Sequence, residues 1–467
     1  MYTPTIGIEV HVELKTKRKV FSASTNNYND PANTNVNEVD FAYPGTLPTL
    51  NKEVIDKSLL AALGLNFAIT KKMHFDRKNY FYPDLPKGYQ ITQERTPIGR
   101  HGYITLSSGK KITIERMHIE EDTCKSIHED GRTLLNYNRA GVPLIEIVSD
   151  PVITSKEEAM EYLNRLRELL FYLNVSDCKI EEGSMRADVN VSISKTDKLG
   201  TKVEVKNIGS IKDVGIAIDY EIKRQQEILD NNGTIEEETR RFDSKTNTTI
   251  LMRKKEIGNE YRYLPEPDIP YVYITDEEIE NTKQKLHMLP DERRRLYIER
   301  GISPVNVEKI INNKTLSDYL NKFIDTNIDF RIASNLLLGD ISSYLNRKNI
   351  KIEDTKLTKE TFIEVVNMLE SKEINNNNFK TILDDLMETD NNIKEILKSH
   401  DISNMDTNAL EDIINKVLND NMESVNDYKN GKTNAAKYLM GMAMKETKGK
   451  ANPKDVNDML NYLLNKM

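Results

Sequence analysis

The stretch "IGIEVHVEL", residues 6–14, alternates so regularly that an extended strand is the regular structure that collects its apolar residues on one face. Ile6, Ile8, Val10, Val12 and Leu14 fall on that face, and Gly7, Glu9, His11 and Glu13 fall on the other. The pattern recurs. "MRADVNVSIS" (185–194) sets Met185, Ala187, Val189 and Val191 against Arg186, Asp188, Asn190 and Ser192. "TKVEVKNIG" (201–209) sets Val203 and Val205 against Lys202, Glu204 and Lys206, and "ERMHIEEDTCKS" (115–126) crowds His118, Glu120, Glu121 and Asp122. A period of two with one apolar side predicts a sheet whose second side carries acids mixed with bases. Each polar side alone reads as ordinary solvated strand surface; several together read equally well as the floor of one site.

Helical periodicity enters at "SKEEAMEYLNRLRELLFYLNV" (155–175), where Ser155 and Glu158 have capping-box spacing and Met160, Leu163, Leu166, Leu170 and Leu173 form a stripe. A second helix is predicted from about Asp213 to "NNG" at 231–233, and "YRYLPEPDIP" (261–270) is too rich in proline for regular structure. Beyond about residue 290 strand signals vanish and Lys, Asn, Leu and Ile recur at helical spacing, interrupted by polar tracts such as "NNNN" (375–378). The expected organisation is an α+β domain over 1–290 followed by two helical units, 291–400 and 401–467.

A net charge of −8 argues against a globally basic nucleic-acid binder but leaves room for a local basic patch. The two cysteines, Cys124 and Cys178, exclude a four-cysteine zinc site and fit reduced thiols. Apolar runs such as "LLAALGL" (59–65) are too short to span a bilayer, and no basic-then-apolar leader opens the chain, so a cytoplasmic location is expected.

Acids in excess suit oxygen-loving Mg²⁺ or Mn²⁺, with His11 as an admixture. Lys78 lies in the aromatic run "FDRKNYFYPDLPKGYQITQ" (75–93), which is expected to pack around it, and "ETRRFD" supplies Arg240 and Arg241. Basic residues beside metal-binding carboxylates are the kit for holding nucleotide phosphates. There is no Gly-x-Gly-x-x-Gly, no Gly-x-Ser-x-Gly elbow and no glycine- and serine-rich amidase stretch, so no covalent nucleophile is indicated. Glu146, within the apolar "PLIEIV", reads either as a satisfied core acid or as a site residue.

Taken in order, "IGIEVHVEL", "FDRKNYFYPDLPKGYQI", "MHIEEDTCKS", "NRAGVPLIEIVSDP", "EEGSMRADVNVSI", "VEVKNIGS", "ETRRFD" and "YRYLPEPDIP" resemble the GatB family, the B subunit of aspartyl/glutamyl-tRNA(Asn/Gln) amidotransferase. "GKTNAAKYLMGMAMKETKGKANPKDVN" resembles that family's tail domain. The resemblance spans essentially the whole chain and is weakest through about 280–400. It implies a cradle-like catalytic domain on a largely antiparallel sheet, a helical linker domain and a tRNA-binding tail. It also implies a reaction: ATP phosphorylates the side-chain carboxylate of Glu on tRNA(Gln) or Asp on tRNA(Asn), and ammonia displaces the phosphate.

By that resemblance Glu9, His11, Glu120, Glu121, Asp188 and Glu204 are the expected ligands of Mg²⁺ or Mn²⁺, with Glu121, Asp188, Glu204 and Lys78 catalytic. Arg186, Lys206, Arg240 and Arg241 are expected on ATP phosphates. Ammonia must then come from a partner, the family's glutaminase (the A subunit), with the small C subunit completing a heterotrimer. Residues 425–467 hold eight lysines against four acids, a local balance of +4, and Lys432, Lys437, Lys445, Lys448 and Lys450 are the expected tRNA contacts. The alternatives are the archaeal GatE protein, which carries an inserted domain for which this chain has no room, and a non-catalytic RNA-binding scaffold of the same fold.

Overall fold

A computed structural model describes residues 2–254, 261–400, 402, 407–429, 433–447, 451 and 453–466. It divides into two compact units, Met1–Leu289 and Pro290–Met467.

The first unit is built on a nine-stranded sheet. From one edge the strands run Thr248–Lys254, Glu238–Asp243, Val203–Lys206, Met185–Ser194, Thr3–Glu13, Pro143–Ser149, Lys111–Glu121, Gly99–Thr105 and Ala68–Ile69. Only the pairing of Val203–Lys206 with Glu238–Asp243 is parallel. The alternating strand 3–13 lies at the centre, and Ile6, Ile8, Val10 and Val12 are almost wholly buried on the expected face. They meet Ala159, Tyr162, Leu163, Leu166 and Leu170 of helix Lys156–Tyr172, and Val214, Ala217 and Ile218 of helix Ile211–Asp230, in one core. Each such aliphatic side chain contributes about 1.5–3 kcal/mol by burial, so the core side is far too apolar to tolerate the other register.

Both helices begin where side chains satisfy their free amides: Ser155 accepts from Glu158 N and Ser210 from Asp213 N. Ser210 starts the second helix two residues before the expected Asp213. The Glu158 carboxylate reaches Thr154 N, one residue ahead of the cap, and also binds Lys110. Beside the end of strand 111–121, past Met117 where its pairing with Gly99–Thr105 stops, lies a small three-stranded sheet of Asp76–Asn79, Tyr89–Thr92 and Leu264–Pro265. Gln90 Nε2 donates to Glu121 O (2.7 Å) and Ile119 N to Gln93 Oε1 (3.1 Å), which fixes this layer to strand 111–121. "YRYLPEPDIP" thus contributes two residues of strand, Leu264 and Pro265, to an otherwise irregular segment.

Among its described residues the second unit contains helices and no strand. The asparagine run lies at the junction between helices Lys359–Glu370 and Asn376–Glu388 and begins the second. Asn375 caps helix Asn376–Glu388 and Asn378 returns the bond to Asn375 N. Leu410, Ile414, Leu418, Leu439, Val456 and Leu460 belong to a hydrophobic cluster formed within 410–464. No described helix is long and apolar enough to cross a membrane.

Candidate active site

Antiparallel pairing turns the polar sides of four strands into rows. Arg186 pairs with His11, His11 with Glu146, and Glu146 with His118. One row away, Asp188 pairs with Glu9 and Glu9 with Val148, which pairs with Arg116. Because side chains two apart in a strand share a face, Glu120 joins His118 on this surface.

The centre of the surface is a donor triangle. His11 Nε2 stands 3.4 Å from Glu120 Oε1 and 3.3 Å from Glu146 Oε2, and one ligand atom from each of the three lies within 4.8 Å of the others. His118 Nε2 backs it, 3.3 Å from Glu146 Oε2 and 3.6 Å from Glu120 Oε2. Burial alone would lower both imidazoles, but Glu146 and Glu120 outweigh it: His11 is raised, and His118 is raised to about 9. Burial alone would raise Glu146, yet His118 and His11 hold it well below the ordinary carboxylate range. The triangle therefore offers two acceptor carboxylates and an imidazole whose proton a cation can displace.

Two cavities, of about 350 and 280 Å³, share His11, Lys78 and Lys206 as common walls. The larger adds Arg186, Asp188 and Asp122; the smaller adds Glu9, Glu146, His118, Glu204 and Arg116. Lys78 Nζ sits 4.7 Å from the centre of the Tyr261 ring. Burial pulls its pKa down, but Glu120, Tyr263 and Glu146 raise it further, so the ammonium is kept. Lys206 bridges Asp188 (2.7 Å) and Glu204 (3.1 Å), and burial is again outweighed, so its pKa too is raised. Glu9 accepts from Asn190 Nδ2 at 2.9 Å and Glu204 from Thr239 Oγ1 at 2.8 Å.

Several expected residues lie elsewhere. Glu121 is adjacent to Glu120 in the same strand and so points to the opposite side, where Lys87 Nζ (2.6 Å) and Ile91 N (2.9 Å) occupy its oxygens. It does not join the triangle as a ligand. Glu9, Asp188 and Glu204 face the cavities but form a neighbouring group around Lys206 and Asn190, outside the triangle. Arg240 turns away from Thr239 and Arg241 to the helix side of the sheet, bound to Thr249 Oγ1 (2.7 Å), Glu238 (3.0 Å) and Glu221 (3.8 Å). Arg241 pairs in register with Lys206 on the site side but is exposed and lines neither cavity. The aromatic run is only partly packed: Tyr80 lines the larger cavity, whereas Phe81 is 90% and Tyr82 58% exposed. Lys437 and Lys445 lie exposed on helix Thr433–Glu446; Lys432, Lys448 and Lys450 fall outside the described residues.

Glu146 and His118 are members of the cluster outside the expected ligand set. The signal in the sequence is an acid inside "PLIEIV" and a histidine two places before Glu120; their meeting depends on strand register, which no single stretch encodes.

Comparison with known proteins agrees with this architecture. Residues 4–280 match a family model described as the GatB/GatE catalytic domain, and residues 318–464 match one described as a GatB domain. The chain is 43% identical to the B subunit of aspartyl/glutamyl-tRNA(Asn/Gln) amidotransferase from Geobacillus thermodenitrificans, covering 100% of this chain and 99% of that protein. It is 44% identical to the corresponding protein of Geobacillus kaustophilus, with 98% of each covered, and 42% identical to that of Staphylococcus carnosus, with 100% and 99% covered. With both units matched and identity sustained from end to end, this chain belongs to the GatB family, the B subunits of aspartyl/glutamyl-tRNA(Asn/Gln) amidotransferases.

Proposed function

We propose that this chain is the carboxylate-activating subunit of a tRNA-dependent amidotransferase. It transfers the γ-phosphoryl group of ATP to the side-chain carboxylate of Glu on tRNA(Gln), Asp on tRNA(Asn), or both. Ammonia then displaces phosphate to leave the amide. A carboxylate is a poor electrophile because oxide is a hopeless leaving group; phosphorylation replaces it with phosphate. Such a transfer is governed by positioning and charge neutralisation and needs no protein nucleophile.

The observation that carries the reading is the His11–Glu120–Glu146 triangle beside Lys78. Neighbouring ligands of an octahedral ion at about 2.1 Å stand about 3 Å apart, close to the 3.3 and 3.4 Å separations around His11. The donor set therefore fits a small divalent cation: its two carboxylates suit Mg²⁺ or Mn²⁺, and the imidazole favours Mn²⁺ of the two. His11, Glu120 and Glu146 would hold such a cation, which when bound would neutralise phosphate charge. Lys78, Lys206 and Arg186, which line these cavities, would hold the phosphate and carboxylate oxygens, and the Tyr261 ring faces the Lys78 ammonium.

Ammonia is delivered from a glutaminase partner, the A subunit, with the C subunit completing the assembly. Support for a sheltered route comes from three adjoining hollows. A surface groove of about 250 Å³ and a narrow slot share Lys87, and the slot and the larger site cavity share Asp122. Glu121, bound to Lys87, lines that slot, which supports a role for it beside the ammonia route.

The test is phosphate release from ATP by the full-length chain assembled with its partners, with Glu-tRNA(Gln) or Asp-tRNA(Asn) present. Release that depends on a mischarged tRNA and disappears in Glu146→Gln is expected. Full activity in that variant would remove the triangle from the chemistry.

A further inference from the structure

Threonine at position 239 calls for a reason. Its side chain is buried on strand Glu238–Asp243, where a valine of the same shape would be equally at home by strand propensity. A hydroxyl taken out of water costs free energy unless it finds a partner, and the partner here is a carboxylate: Thr239 Oγ1 donates to Glu204 Oε2 at 2.8 Å. Thr239 and Glu204 are register partners in the parallel pairing of the sheet, so the backbone itself holds them side by side.

The bond continues into the site. Glu204 Oε1 stands 3.1 Å from Lys206 Nζ, and Lys206 Nζ donates to Asp188 Oδ2 at 2.7 Å. Lysine carries a compact charge on a flexible stem, so a single carboxylate leaves it free to swing. Two carboxylates from different strands fix it between them, provided that each is itself fixed. Glu204 has one more rotatable bond than Asp188, and the Thr239 hydroxyl ties down its other oxygen, Oε2.

Thr239 is in turn held from the opposite side of the sheet. Its neighbours Glu238 and Arg240 point towards helix Ile211–Asp230, where the fully buried Glu221 lies 2.6 Å from Arg224 Nη2 and accepts from Thr249 Oγ1 at 3.1 Å. Arg224 Nη2 meets Glu238 at 2.8 Å, Arg240 Nη1 meets Glu238 at 3.0 Å, and Arg240 Nε donates to Thr249 Oγ1 at 2.7 Å. Two guanidinium groups and two carboxylates closed on one another resist displacement, because removing any one leaves a buried charge uncompensated. The network pins the strand that presents Thr239, which gives Arg240 a place in the architecture of the site without contact with substrate.

We propose that Thr239 is a positioning residue for Lys206: by fixing Glu204, its hydroxyl sets the place of the ammonium that forms a common wall of both cavities. The inference rests on the reading that Lys206 holds reacting oxygens, and deepens it. Without the hydroxyl, Glu204 adopts other rotamers, and Lys206 follows it or falls back on Asp188 alone.

The test is a double-mutant cycle in the full-length chain assembled with its partners, read as kcat/KM for phosphate release from ATP with the mischarged tRNA that the parent accepts. Thr239→Val is expected to slow release about tenfold and Lys206→Met about 10²-fold, the first by displacing a stabilising charge and the second by removing it. Thr239→Ser keeps the hydroxyl and is expected to restore the rate to within about threefold of the parent. In the Lys206→Met background Thr239→Val is expected to cause no further loss. A loss that repeats in that background would overturn the inference, because a defect of folding or of another contact multiplies through both backgrounds. So would a Thr239→Ser variant as slow as Thr239→Val, or a Thr239→Val variant as fast as the parent while Lys206→Met is slow; in these cases Lys206 keeps its role. Full activity in Lys206→Met would overturn the reading of Lys206 itself, and the inference with it.

Discussion

Glu120 and Glu121 are consecutive in one strand yet serve different compartments: Glu120 Oε1 lies 3.4 Å from His11 Nε2, and Glu121 Oε1 lies 2.6 Å from Lys87 Nζ on the other side of the sheet. A pair of neighbouring acids in an extended strand cannot both bind one ion, because their side chains diverge.

The two acids are therefore expected to fail differently. Glu120→Gln removes a donor from the triangle and should slow phosphoryl transfer by orders of magnitude, since cation neutralisation supplies several kcal/mol of transition-state stabilisation. Glu121→Gln should keep tRNA-dependent ATP cleavage but lose amidation driven by glutamine, and supplying free ammonia should restore much of the product. Measuring phosphate release and amide formation side by side distinguishes the two; equal loss of both in Glu121→Gln would return Glu121 to the chemical step.

Lys78→Met keeps an unbranched stem and removes the ammonium that stands 4.7 Å over the Tyr261 ring. The fold should survive with an unchanged Tm, while kcat falls by about 10²-fold, the loss typical of removing one preorganised stabilising donor. If the residue merely packs, the variant retains its turnover, and a steady-state assay at saturating ATP shows it.

Arg186 lines the larger cavity and is held from behind. Asp122 accepts from Arg186 Nη2 at 3.1 Å and from Arg139 Nη2 at 2.7 Å, so the carboxylate ties the two guanidinium groups together. Arg139→Met should let Asp122 pull on Arg186 alone and misplace it, raising KM for ATP or aminoacyl-tRNA about tenfold with a smaller change in kcat. Arg139→Lys should recover part of the loss. A proportional fall in kcat with no change in either KM would contradict this positioning role.

Cys124 and Cys178 are buried, and burial pushes their thiols up to about 11 and about 12. Both native values exceed that of an exposed thiol, about 8.5. The folded state therefore holds these protons more tightly than the unfolded chain, and this contribution to stability declines as pH rises from about 8.5 towards 11–12. At pH 8 the native chain should resist iodoacetamide, and alkylation should follow unfolding; rapid labelling of either thiol without loss of structure would show that the burial is wrong.

Much of this architecture is legible in strand periodicity. Ile6, Ile8, Val10 and Val12 declare their buried side without ambiguity, and the opposite sides of three strands point to His11, Asp188 and Lys206 as neighbours. What periodicity cannot encode is which strands pair and in which register. Glu146 becomes a member of the triangle only because it lies opposite both His11 and His118. The same limit explains Arg240, whose place on the helix side follows from its position next to Thr239, the residue that binds Glu204. Family resemblance carried the acids as a set; the fold separated them.

The central claim is that the side-chain carboxylate is activated as an acyl phosphate, and oxygen transfer tests it most directly. Glu-tRNA(Gln) carrying ¹⁸O in both oxygens of the side-chain carboxylate would be amidated with unlabelled ATP by the assembled enzyme, and the inorganic phosphate examined by mass spectrometry. Attack of carboxylate oxygen on the γ-phosphorus, followed by displacement at the acyl carbon, leaves one ¹⁸O in each phosphate for each amide formed. Phosphate free of label, released in step with the amide, would mean that ATP is cleaved by water and that the carboxylate is never phosphorylated.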